Sequence, residues 1–118
     1  MKKFKIYRVY DPIYRAHLSI LVGDLEEIKK YLLRCSIPQE KIDEISPSAG
    51  GRFIFHDKMH IIVMPKYNIY TLIHEIIHVA FAVMYGRGIP IRYENDETIT
   101  YYVEMVLKNT LKVMKKDI

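Results

Sequence analysis

The chain has 118 residues, a formal net charge of +4 and a hydrophobic share of 50%. That length suits one domain (residues 1–118) with a core that needs no staples. A single cysteine, Cys35, excludes an internal disulfide framework and fits a reducing compartment, where it serves as a core filler behind Leu32 and Leu33. The start Met1-Lys2-Lys3-Phe4-Lys5 has the charge of a signal peptide, but Tyr7, Arg8, Tyr10 and Asp11 interrupt any apolar run. No stretch approaches the length of a membrane span, and the expected location is the cytoplasm. Lysines gather at both ends, from Lys2 to Arg8 and from Lys108 to Lys116. They suit a solvated face and a helix C-terminus better than a nucleic-acid surface, for which no motif is present.

In chain order, Phe4 to Val9 and Tyr14 to Val22 alternate apolar and polar residues around Asp11-Pro12, which predicts two strands joined by a turn. Asp24 is placed to cap a helix over Leu25 to Cys35, with Leu25, Ile28 and Leu32 on one face. Pro38 follows, then a short helix over Gln39 to Ile45 with Ile42 and Ile45 inward. Ser46-Pro47-Ser48-Ala49-Gly50-Gly51 is a loop. Arg52 to His56 and Met59 to Met64 are β-rich runs separated by Asp57-Lys58, as in a hairpin. Asn68 can cap a long apolar helix over Ile69 to Tyr85, ended by Gly86, Gly88 and Pro90. A last helix is predicted from Asp96 to Lys115, with Ile99, Tyr102, Val103, Val106, Leu107 and Leu111 inward. Strands come first and long helices last, an α+β arrangement. The ten tyrosines are scattered, which suggests packing roles for most of them.

The apolar helix carries His74-Glu75-Ile76-Ile77-His78. Histidines four apart share one helical face, so both imidazoles can reach a single Zn2+ ion, and Glu75 is placed to take a proton from water without being a ligand. Two imidazoles and a carboxylate in a helix built for burial need compensation, which a metal supplies.

A catalytic zinc has three protein ligands as a rule. No histidine follows His78, so the downstream choices are Glu94, Asp96, Glu97 and Glu104. Glu97 leads because it falls in the first turn of the last helix, at the favourable end of the dipole. Glu94 is the alternative; Asp96 suits an N-cap or an orienting partner of a histidine, and Glu104 sits two turns further on. A phenol or imidazole beside the metal is needed to meet a developing oxyanion. Tyr101, one turn from Glu97, is first among Tyr93, Tyr101 and Tyr102, with His56 and His60 as further choices.

The motif followed by Glu94-Asn95-Asp96-Glu97 resembles the gluzincin group of zinc metallopeptidases, over about residues 69 to 107. The run of motif, Gly-x-Pro and Asn-Asp-Glu-Thr is also similar to small zincin-like proteins of bacteriophages and mobile elements. The resemblance implies a minimal zincin-like domain with His74, His78 and Glu97 as ligands, Glu75 as general base, and an extended peptide paired with the strand Met59 to Met64. The large gluzincins carry an acid four residues after the ligand glutamate; here that position is Tyr101. A peptide or protein substrate is the partner this implies, and extracellular digestion is disfavoured. The competing expectation is a zinc-binding module without catalysis that occupies a host or phage protein.

Overall fold

In a computed structural model, residues 3–118 are described. Four strands form one mixed sheet in the order β1-β2-β4-β3. Strands β1 (Phe4–Asp11) and β2 (Ala16–Gly23) are antiparallel, with Phe4 opposite Gly23 and Asp11 opposite Ala16. The turn between them is held by the Asp11 carboxylate, which accepts from the backbone N–H groups of Ile13 and Tyr14. Gly23 is required where the chain leaves β2: a Cβ there would lie 2.5 Å from the Lys3 carbonyl oxygen.

Helix α1 (Leu25–Arg34) is capped by Asp24, which accepts from the N–H groups of Glu26 and Glu27. Its end is closed by Ser36 in the left-handed region, so that Ile37 N–H reaches the Leu32 carbonyl and the Ile37 side chain is buried. The short helix α2 covers only Gln39–Ile42, three residues less than expected. Ile42 and Ile45 nevertheless both point inward.

Strands β3 (Arg52–His56) and β4 (Met59–Met64) form the expected hairpin, with Asp57 and Lys58 both at positive φ in its two-residue turn. One expectation is overturned here. The strand Met59–Met64 is not an edge, because β4 pairs with β2 on one side and β3 on the other. The cause is visible in its composition: His60, Ile62 and Met64 face one core, while Ile61 and Val63 face another. A strand buried on both faces belongs in the middle of a sheet. The sheet's edges are β1 and β3, and the one beside the helix that carries His74 and His78 is β3.

Helix α3 (Ile69–Gly86) begins at Asn68, whose side chain accepts from the Tyr70 and Thr71 N–H groups. After a 3-10 turn at Tyr93–Asn95, α4 (Asp96–Met114) packs against α3 and β1. The sheet is thus covered on one face by α1 and α2 and on the other by α3 and α4, and the class is α+β. By length and composition α3 is apolar enough to cross a membrane, 18 residues at mean hydropathy 1.4, contrary to the expectation that no stretch comes near a span. In this fold it is a core helix, burying Leu72, Ile76, Val79, Ala80, Val83 and Met84. Not all the tyrosines are packing residues either: Tyr10, Tyr70, Tyr85, Tyr93 and Tyr101 are exposed.

Candidate metal centre

Helical spacing alone puts His74 above His78 on α3, and the two rings meet edge to face with centroids 5.0 Å apart. Glu75 lies between them in sequence but is turned toward the interior, 5% exposed. One ligand atom from each of His74, Glu75 and His78 lies within 4.8 Å of the others. His74 and His78 are exposed residues, whereas Glu75 is buried along most of its side chain.

The opposite wall comes from the loop and strand just ahead. Phe53 of β3 stacks flat on His78, with centroids 6.2 Å apart and planes 3° from parallel. Gly51 presses on the first turn of α3: a Cβ would come 2.6 Å from Thr71 Cγ2 and 3.2 Å from the Val63 carbonyl oxygen. These contacts leave two adjoining recesses. One, of about 280 Å³, is bounded by Gly51, Arg52, Phe53, His74, Glu75 and His78. The other, of about 350 Å³, lies toward Gly50 and Thr71 and shares Gly51, His74 and Glu75. The Glu75 carboxylate borders both, and no hydrogen bond or ion pair to it is made among the described residues. Its oxygens reach these recesses and are open to a cation or a donor there. Two imidazole nitrogens on one helical face are donors of the kind that zinc takes, and the Glu75 carboxylate lies beside them.

The other expected site residues are placed differently. Glu97 falls in the first turn of α4, as expected, but its side chain is exposed and stands outside the three-residue group. Glu94, Asp96 and Glu104 are exposed as well. Among the described residues, none of these four acids is in an ion pair. Tyr101 is 65% exposed and borders neither recess, and Tyr93 is 87% exposed. Tyr102 is buried instead; burial first and the neighbouring Asp11 carboxylate second push its phenol well above the usual range. His56 Nδ1 sits 3.3 Å from Lys41 Nζ.

His60 is an interior residue. Its Nδ1 is 3.4 Å from the His17 carbonyl oxygen, and Phe53 and Phe55 lie against its ring. Burial lowers its pKa below the ordinary value near 6.5, and the Arg87 charge adds to the effect. Phe53 therefore stands between two imidazoles, His60 inside and His78 outside. Neither Phe53 nor Gly51 was singled out by sequence reasoning. The available signal was the two-residue spacing of Phe53 and Phe55, which puts both on the face toward α3.

No protein-family model, no curated protein and no solved structure matches this chain.

Proposed function

We propose that the protein is a zinc-dependent peptide hydrolase of minimal zincin type, with His74 and His78 as metal ligands and Glu75 as general base. The observation that carries this reading is Glu75, a largely buried residue on the motif helix that borders both recesses beside two exposed imidazoles and has no hydrogen-bond partner among the described residues. Bound zinc would supply Lewis-acid polarisation of the scissile carbonyl and acidification of water. Glu75 then accepts the proton of the attacking water and returns it to the leaving amine, a step for which its position bordering both recesses is suited.

The third protein ligand assigned in this reading is Glu97, an exposed carboxylate free of ion pairs among the described residues, on a helix packed against α3. The peptide would lie along β3. At Phe55 the outward edge of that strand is already used, because Lys41 Nζ donates to the Phe55 carbonyl at 2.6 Å. Two residues back, the Phe53 backbone faces the same way, beside His78. Edge pairing at that point would set an extended backbone next to the two histidines.

The test is a mass-spectrometric peptide-library digest with zinc-loaded protein. Wild type is expected to cut; Glu75→Gln is expected to keep its zinc and lose about 10²- to 10⁴-fold in rate. Undiminished cutting by Glu75→Gln would remove Glu75 as the base.

A further inference from the structure

A third recess lies beyond His78, between the C-terminal half of α3 and the sheet. It encloses about 550 Å³ at the far end of α3, and its wall carries Arg15, His17, Lys58, His60 and Arg87 but no acid. We propose that this basic recess holds a carboxylate side chain of the peptide handled at His74 and His78, so that the preferred substrates are acidic peptides. This rests on the hydrolase reading for the word substrate; the recess as a carboxylate site does not.

The placement follows from two parallel rows of residues. On β3, Phe53 stands against His78 and Phe55 borders the basic recess; on α3, Ala82 and Gly86 border it one and two turns after His78. At the helical rise, Gly86 is about 12 Å beyond His78. An extended peptide covers that in about three or four residues. An acidic side chain a few positions from the cleaved bond therefore meets the cations when the bond lies at the histidines.

The charges are free to serve a ligand. Among the described residues, Arg15, Lys58 and Arg87 are in no ion pair. Arg87 donates through Nε and Nη2 to the Tyr14 carbonyl, which anchors it while leaving its charge unneutralised. The C-terminal end of α3 contributes about half a negative charge in the opposite sense. That is outweighed by three full cations, and the last carbonyls of α3 already accept from the N–H groups of Arg87, Gly88 and Ile89. Two of the cations also break a local rule. Arg15 at φ 58 and Lys58 at φ 66 occupy left-handed backbone positions that favour glycine or asparagine. Long basic side chains held there suit a role for their charge rather than for the turn.

A nucleic acid is a poorer fit. The cations gather in this recess, whereas Gly50, Gly51 and Phe53 line the two at the histidines and Arg52 is paired with Glu44 at 2.6 Å. A backbone of repeating phosphates needs a continuous basic track.

The experiment measures binding rather than cleavage. The chain has no tryptophan, so the anisotropy of a peptide's own tryptophan reads complex formation. Two heptapeptides, identical and otherwise uncharged except for two adjacent positions that are glutamates in one and glutamines in the other, are titrated into zinc-loaded Glu75→Gln protein. The glutamate peptide is expected to bind about ten-fold tighter, the size of one charge-assisted contact. Arg15→Gln with Lys58→Gln should erase the preference, whereas Lys66→Gln, outside the recess, should keep it. Lys58→Gly serves as the second variant, since glycine suits that turn and loss of preference there cannot come from misfolding. Equal binding of the two peptides, or a preference that survives both recess variants, overturns the proposal. So does displacement of the peptide by a single-stranded oligonucleotide whose own binding is lost in the same variants. If no peptide is ever cut yet the preference holds, the hydrolase reading fails and the carboxylate site stands. If peptides are cut regardless of acidity, the reverse is true.

Discussion

The two faces of the sheet follow different rules. Under α1 and α2 the core is aliphatic, built from Leu21, Ile28, Leu32, Ile37, Ile42, Ile54, Ile61 and Val63. Under α3 and α4, the apolar packing also encloses Asp11, His60, Glu75 and Thr110. Buried polar groups cost stability, so a fold that keeps them on one face marks that face as the one with another task. The first face is expected to answer for stability alone, and the second for stability and chemistry together.

The comparison is broken most directly by emptying the inert face. Leu32 is 1% exposed, and Leu32→Ala should cost about 2–5 kcal/mol in denaturant unfolding. Zinc bound per folded chain should not change; a fall in metal content at full folding would mean that the faces are coupled. On the active face, Gly51→Ala should cost about 1–3 kcal/mol, because the added Cβ meets Thr71 at 2.6 Å and the Val63 carbonyl at 3.2 Å. It should also weaken zinc binding in a competition with a chromophoric chelator, since the loop that walls His74 must shift. Unaltered affinity would show that the wall plays no part.

The smallest expected effect is one of pH. The folded pKa of His60 lies below its unfolded value near 6.5, so the unfolded chain takes up the proton first. The stabilising contribution is complete above about pH 6.5 and is lost as the pH falls toward the lower folded pKa. Chelated protein should therefore lose stability from that point down, and His60→Gln should lack this part of the slope. An identical profile in both would place the titration elsewhere.

The sequence showed the elements well because their local signals agree with the packing. Asp24 and Asn68 do cap α1 and α3 as expected, and Asp57-Lys58 does turn the hairpin. Strand order was less legible. The pattern of Met59 to Met64 says that both faces are buried, but it does not say which strand lies outside it, and β3 rather than β4 became the edge beside α3. The spacing of His74 and His78 survives because helix geometry is local. Glu97 and Tyr101 depend on how α4 docks, a long-range matter that periodicity cannot encode. His60 showed the limit in the other direction: next to a hairpin turn it reads as a surface residue, and pairing with two strands puts it inside.

The most direct measurement is zinc content by elemental mass spectrometry on protein purified without added metal, with His78→Ala, Glu97→Ala and Glu94→Ala in parallel. About one zinc per chain is predicted for the wild type. It should be lost in His78→Ala, reduced in Glu97→Ala and unaffected in Glu94→Ala. Zinc absent from the wild type even after reconstitution would contradict the central claim, and His74-Glu75-His78 would then be a helix surface with two coincidental histidines.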